Sequence, residues 1–355
     1  MVIPKTGAAT SAALKTAAQA EMFAHRLAKR QKHLRKWARR TGAGVYRLYD
    51  RDIPEIPLVL DRYDPADGQG PALAGALYER PYDKDPAEEK AWLEVMIQTA
   101  AKTLALPEER IFLRTRSRGG PGRRGSPGFG NPAGSESPAG SESPAGFENP
   151  AVSPGKGLII TVAEGGLLFR VNLNGYLDTG LFPDRRLLRS RIRQEAPGRR
   201  VLNLFAYTGS FSLYAAAGGA AVVDSVDLSA TYLDWARRNF LLNGFALKRK
   251  GPDFRHSPGT DKAPLSGIGP DKPAYRFIRA DVLRFLEEAS AGRRRWDLII
   301  LDPPTFSNSK KMSATLDIRR DHGKLLERCL ALLEPEGALY LSVNARHFRP
   351  EESAL

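Results

Sequence analysis

Three aspartates in this chain each follow a short apolar, strand-like run: Asp227 after Ala221 to Val226, Asp281 after Phe277 to Ala280, and Asp302 after Leu298 to Leu301. Doubly wound α/β folds hold their ligands at the carboxyl ends of parallel strands, where a carboxylate can accept from hydroxyl or amine donors. In that setting Asp227 is placed to accept both hydroxyls of a ribose, and Asp281 to accept from an adenine exocyclic amine. Each also has a plainer reading as the N-cap of the helix that follows, although Ser229 could relieve Asp227 of that duty. Asp302 stands apart because Pro303 and Pro304 fix the backbone behind it. A rigid carboxylate with nearby carbonyls can hold the edge of a planar base, and Phe306 can stack on its face. A plain turn is the alternative for this segment.

The elements that must position these acids alternate between strand and helix. Val201 to Phe205 reads as a strand, running into a tight Thr208-Gly209-Ser210 turn and a helical run from Phe211 to Ala217. A glycine there lets a ligand approach the backbone, so strand, glycine turn, helix, strand and Asp227 together form a unit that binds an adenosine-containing cofactor. Val222 to Val226, Arg276 to Ile278, Asp297 to Leu301 and Ala338 to Val343 continue as strands, with a helix from Thr231 to Asn243. Alternation of this kind predicts a parallel α/β sheet. Past Asp302, the residues Asn308, Ser309, Lys310 and Lys311 form a basic, polar loop over the same mouth, suited to phosphate contact or simply to solvent.

The 355 residues carry a net charge of +14, which favours a polyanionic partner, nucleic acid before membrane surface. From Glu21 to Arg40 the pattern is helical: Phe23, Leu27, Leu34 and Trp37 share one face. The remainder is covered by Arg26, Lys29, Arg30, Lys32, Arg35, Lys36, Arg39 and Arg40 with no acid among them, and such a helix can lie along an RNA phosphate backbone. The plainer reading is a solvated face. No apolar run approaches the ~20 residues of a membrane span, no signal peptide is evident, and the single cysteine fits a reducing cytosol, so a cytoplasmic protein is expected. The five scattered histidines give no metal site.

Residues 1–20 read as a disordered or weakly helical tail. Residues 21–175 read as the basic helix plus a small α+β unit, with strands at 45–49, 58–60, 73–78 and 111–115 and a helix at 87–104. A glycine-, proline- and serine-rich insertion at 117–156 interrupts that unit before strands resume at 158–162 and 167–171. Residues 176–355 form the larger α/β domain, with a second polar insertion at 246–274.

With these features in one frame the chain resembles class I S-adenosylmethionine-dependent methyltransferases, a Rossmann-like fold. It is similar in particular to the 23S ribosomal RNA guanine-N7 methyltransferase family, often the C-terminal half of a bifunctional guanine-N2/guanine-N7 protein. The likeness rests on Gly175 to Arg186, Asn203 to Gly209, Val226 to Ala236, Asn239 to Gly244 and Asp302 to Lys310. Shorter matches lie at Arg26 to Lys29, Lys36 to Arg40 and Tyr46 to Asp50. The resemblance implies S-adenosylmethionine as cofactor and ribosomal RNA, or a large-subunit precursor particle, as partner. It implies that Phe182, Asp184 and Arg186 lie over the cofactor, with Asn203, Phe205, Tyr207, Thr208, Gly209, Asp227, Asp281 and Asp302 around it. Pro183 stands where the family usually has leucine.

The residues alone leave guanine N7 and an exocyclic amine open as acceptors; the resemblance selects N7, whose in-plane lone pair needs alignment rather than a base. Cytosine C5 would need a thiolate. Related C5 enzymes carry it just past strand five, where this chain has Ser342-Val343-Asn344, while Cys329 lies in an apolar run from Leu325 to Leu333 that reads as a packed helix. The chain stops soon after strand five, so the sheet is expected to lack its last strands and to leave a hydrophobic edge. An inactive RNA-binding fragment is the rival of a different class.

Overall fold

The computed structural model describes residues 6–80, 82, 84–116, 157–176, 178–247, 274–307, 315–344 and 348–350, so both insertions lie outside the described residues. The chain divides into two compact units that part between Thr179 and Gly180, four residues later than the expected 175/176 division.

In the first unit, α1 (Thr6–Thr41) precedes β1 (Val45–Asp50), β2 (Leu58–Tyr63) and β3 (Ala72–Tyr78), then α2 (Pro86–Leu104) and β4 (Ile111–Arg116), and a hairpin of β5 (Ile159–Glu164) and β6 (Leu167–Asn172). The sheet order is β1-β2-β3-β4, antiparallel except for the β3–β4 pair that α2 connects. Asp85 caps α2 by accepting from the amides of Ala87 and Glu88, and Pro86 supplies a φ already suited to its first turn. The expectation of a tail over residues 1–20 is corrected from Thr6 onward: α1 is one continuous helix. Its alanine-rich start favours helix, and tertiary contacts hold its middle, where buried Gln19 accepts a 2.7 Å bond from Trp92 Nε1. Phe23 and Leu27 pack with Trp92, Met96 and Leu48 in the core between helices and sheet.

The second unit opens with α3 (Arg186–Glu195) and continues as β7 (Arg200–Leu204), α4 (Ser210–Ala217), β8 (Val222–Asp227), α5 (Ala230–Leu242), β9 (Ala274–Arg279), α6 (Val282–Ala291) and β10 (Trp296–Leu301). A short ribbon of β11 (Phe306–Ser307) and β12 (Leu316–Asp317), then α7 (Ile318–Leu330) and β13 (Leu333–Leu341), complete it. The sheet order is β13-β10-β7-β8-β9 and every pair is parallel. The order reverses between β7 and β10, which makes that junction the ligand-holding crevice of a doubly wound sheet. The strand period of two divides β7: Leu202 and Leu204 enter the core beneath α6 and α7, while Asn203 faces α4. The last strand starts five residues earlier than its expected span, because Leu333 already pairs with Trp296 before a register shift. Among the described residues β13 and β9 are the edge strands, and at the β13 edge Leu339, Leu341 and Val343 line an apolar groove of about 620 Å³ with Leu326, Leu330 and Phe348.

Candidate active site

The candidate site lies wholly within the second unit. Leu204 of β7 is level with Val226 of β8 and with Leu301 of β10, so the loops that follow β7, β8 and β10 leave the sheet at one edge. Asp281, which follows β9, joins them.

The loop after β7 is built from strained backbone. Phe205, Tyr207 and Gly209 have φ of 57°, 51° and 73°, in the left-handed region that side chains other than glycine's rarely adopt. A Cβ on Gly209 would stand 2.6 Å from Ala236 Cβ, so the close approach of α5 requires a glycine. Surrounding bonds hold the strained conformation. Asp227 accepts from the Tyr207 amide at 2.9 Å and from the Ser229 amide at 2.8 Å, Thr208 Oγ1 donates to the Gly180 carbonyl at 2.5 Å, and Asn239 Nδ2 donates to the Thr208 carbonyl at 3.0 Å. Burial pushes the Asp227 carboxyl up to about 6, against the pull of the Ser229, Tyr207 and Leu228 amides. Asn203 is buried, donates to Ser212 Oγ at 2.8 Å, and leaves its Oδ1 as a buried acceptor without a partner among the described residues. A buried acceptor of this kind is satisfied by an ordered water or by a ligand donor.

The loop after β10 is held differently. Pro303 is buried and Thr305 is buried beside it, while Asp302 keeps a side chain 23% exposed and Phe306 is 46% exposed. The Asp302 carboxyl is raised by burial, with Arg185 and the Ser342 hydroxyl lowering it and Asp184 raising it. Arg185 Nε approaches Asp302 Oδ1 at 3.5 Å.

The expected cofactor residues Phe205, Tyr207, Thr208 and Gly209 lie in the first loop, and Asp227 at the end of β8 meets them through the Tyr207 amide. Phe182 joins them by packing its ring on Tyr207 at 5.5 Å, and Tyr207 in turn meets Tyr232 at 4.6 Å. Asp281 caps α6 through the Leu283 amide at 2.8 Å, so its capping role is present in the structure. Asp184 is 56% exposed and pairs with Arg185 at 2.6 Å, and Arg186 begins α3. Sequence reasoning passes over Arg185 itself and Arg189. The latter is 1% exposed, lies near the Phe211 and Tyr214 rings, and donates to the Phe182 carbonyl at 2.9 Å. Its signal is faint: an arginine at an apolar position of α3.

Of the expected RNA contacts on α1, Lys29, Lys36, Arg39 and Arg40 are exposed. Arg26 is tied to Asp52 at 2.7 Å and Arg30 to the Leu48 carbonyl at 3.3 Å, so both already have a partner within the chain. Lys310 and Lys311 lie outside the described residues. Cys329 is buried in α7 and its thiol is pushed up to about 12, so it packs the core and presents no thiolate.

These features fit a nucleoside-bearing cofactor: a glycine turn where a side chain would collide, a buried carboxylate, and an unpaired acceptor beside it. The S-adenosylmethionine-dependent methyltransferase family matches residues 153–257. The Neisseria meningitidis ribosomal RNA large subunit methyltransferase K is 40% identical over 326 residues, covering 92% of this chain and 76% of that protein. The Methylococcus capsulatus ribosomal RNA large subunit methyltransferase K/L is 41% identical over 340 residues, 96% of this chain but only 39% of that longer protein. Two solved chains assigned as methyltransferases, one in complex with SAH and one from Streptococcus mutans, share the fold at a TM-score of 0.62. Their identities are 21% and 20%; the alignments cover 92% and 94% of this chain and 68% and 69% of theirs. The parallel sheet with its acids at one edge is therefore a Rossmann-like class I methyltransferase sheet, its cofactor is S-adenosylmethionine, and the chain belongs to the large-subunit ribosomal RNA methyltransferase K family.

Proposed function

We propose that this chain transfers the methyl group of S-adenosylmethionine to N7 of a guanine in large-subunit ribosomal RNA. The observation that carries the reading is the shared edge: Leu204 and Leu301 are level on adjacent parallel strands, so the loop bearing Gly209 and the loop bearing Asp302 open onto one crevice. A methyl donor held by the first and a base held by the second can meet there. Family membership supports ribosomal RNA as substrate, and the exposed cations of α1 supply a phosphate-binding face.

The cofactor supplies an electrophilic methyl on a sulfonium. Asp227 accepts its ribose hydroxyls, Asp281 its adenine amine, and Phe182, Asp184, Arg186, Asn203, Phe205, Tyr207 and Thr208 shape the walls. Asp302, with the carbonyls fixed by Pro303 and Pro304, holds the base edge, and exposed Phe306 stacks on its face. The N7 lone pair forms the new bond as the carbon–sulfur bond breaks. No proton leaves N7, so no general base is required and alignment is the main contribution, worth ~7–11 kcal/mol in well-oriented reactions. The raised thiol of Cys329 speaks against a cytosine-C5 route through a covalent adduct.

Incubating the protein with labelled S-adenosylmethionine and 23S rRNA, followed by nucleoside mass spectrometry, tests the proposal. The expected product is 7-methylguanosine. N2-methylguanosine would move the acceptor to the exocyclic amine, and 5-methylcytidine would end the purine reading.

A further inference from the structure

Asp302 is faced by a residue that the reading above leaves without a role. Arg185 ends the one-turn 3-10 segment Pro183–Arg185, directly before α3, and its side chain is 18% exposed. Its Nε stands 3.5 Å from Asp302 Oδ1 while Nη1 stands 2.6 Å from Asp184 Oδ2. Asp184 is 56% exposed and Asp302 23%, so one guanidinium bridges an outer carboxylate and an inner one. The planar fork of arginine suits such a bridge; a lysine could offer only a point charge.

The backbone that carries this fork belongs to the cofactor side. The Arg185 amide donates to the Phe182 carbonyl at 3.3 Å, Arg189 donates to that same carbonyl at 2.9 Å, and the Phe182 ring packs on Tyr207 of the glycine loop. Arg185 therefore reaches from the wall of the cofactor loop to the carboxylate of the acceptor loop.

We propose that Arg185 is a positioning residue for methyl transfer: it orients the Asp302 carboxylate toward the incoming base and supplies the counter-charge that a carboxylate needs in a crevice largely screened from water. This rests on the reading of Asp302 as the group that holds the base. A guanine presents N–H donors on the edge opposite N7, so the group that receives them must be an acceptor. A protonated Asp302 would set donor against donor. The purine also gains positive charge as N7 is alkylated, which strengthens its attraction to a fixed carboxylate. Burial drives Asp302 toward the protonated form; Arg185 and the Ser342 hydroxyl oppose this, and Asp184 assists it.

The test compares the intact chain with Arg185→Ala, Arg185→Lys, Asp302→Asn and the Arg185→Ala/Asp302→Asn double variant. The first arm needs no substrate: melting temperatures are followed from pH 5 to 8. Arg185→Ala should fall progressively below the parent as pH rises, because Asp302 must then ionise without its partner. Adding Asp302→Asn should remove that pH dependence, and Arg185→Lys should restore most of the loss. The second arm measures methyl transfer to rRNA, where Arg185→Ala should move the acid limb of the kcat profile up by about one pH unit and lower kcat about tenfold at neutral pH. S-adenosylmethionine affinity by calorimetry should stay within about twofold of the parent, which separates positioning from cofactor binding. Parallel melting curves at every pH, an unmoved acid limb, or a cofactor affinity that drops along with kcat would each overturn the proposal. If the parent leaves rRNA unmodified, the functional reading falls while the melting arm still decides the Arg185–Asp302 pair. If Arg185→Ala does not fold, the lysine variant and Asp302→Asn carry both arms.

Discussion

The loop after β7 and the loop after β10 sit side by side but are fastened by different physics. The first is held mostly through main-chain groups: the amides of Tyr207 and Ser229 on Asp227, the Gly180 carbonyl under Thr208, and the Thr208 carbonyl on Asn239. The second is stiffened by two prolines and balanced by side-chain charge, with Arg185 against Asp302. A pocket for a cofactor that returns each cycle gains from a preassembled wall, since little ordering is left to binding. A pocket that must admit a base drawn out of folded RNA gains from a carboxylate already held in its acceptor form.

The contrast can be broken most severely at Asp227. Two hydroxyl donors on one carboxylate are worth about 3–6 kcal/mol together, so Asp227→Ala should weaken S-adenosylmethionine binding by about 10²–10⁴-fold in calorimetry. RNA affinity should be unchanged; equal loss of both would return Asp227 to a purely architectural role. Replacing Phe306 by alanine should act on the other loop alone. Lost stacking of ~1–3 kcal/mol predicts about a 5- to 150-fold rise in KM for RNA, with cofactor affinity intact.

Acidity sharpens the comparison further. The folded-state value of Asp227, about 6, lies above the ordinary 3.8. Protonation therefore favours the ligand-free fold below that range, and this contribution is lost as pH rises through about 6. Ribose hydroxyls need the carboxylate, so the sign reverses for binding. Below about 6 the affinity for S-adenosylmethionine should drop about tenfold per pH unit, and it should be level above. Asp227→Asn should abolish the slope. The smallest effect belongs to α1. Exchanging Lys36, Arg39 and Arg40 for alanine should lower the slope of log affinity against log salt by about 2, at roughly 0.7 per lost phosphate contact on single-stranded RNA. An unchanged slope would leave those cations as a solvated face.

Much of this site is legible in the sequence because its determinants are local. A strand followed at once by an acid places Asp227, Asp281 and Asp302 at strand ends whatever the rest of the chain does, and the need for positive φ marks Gly209. What escapes notice depends on distant partners. The helical start of α1 rests in part on Gln19 meeting Trp92, and the role of Arg185 on its approach to Asp302. Nothing within a few residues of either announces the contact. The early start of β13 is likewise set by pairing, through Leu333 against Trp296. Pro335 argues locally against a strand there, and it is accommodated because the register shifts between Leu333 and Ala338.

Gly180 stands beside the proposed cofactor wall. A Cβ at its position would lie 2.4 Å from the Trp235 ring, and its carbonyl receives the Thr208 hydroxyl. The indole is thereby packed against the segment that holds the Thr208 hydroxyl of the glycine loop. With Trp37, Trp92 and Trp296 replaced by phenylalanine, emission from Trp235 would give an optical signal of occupancy that needs no label and no turnover.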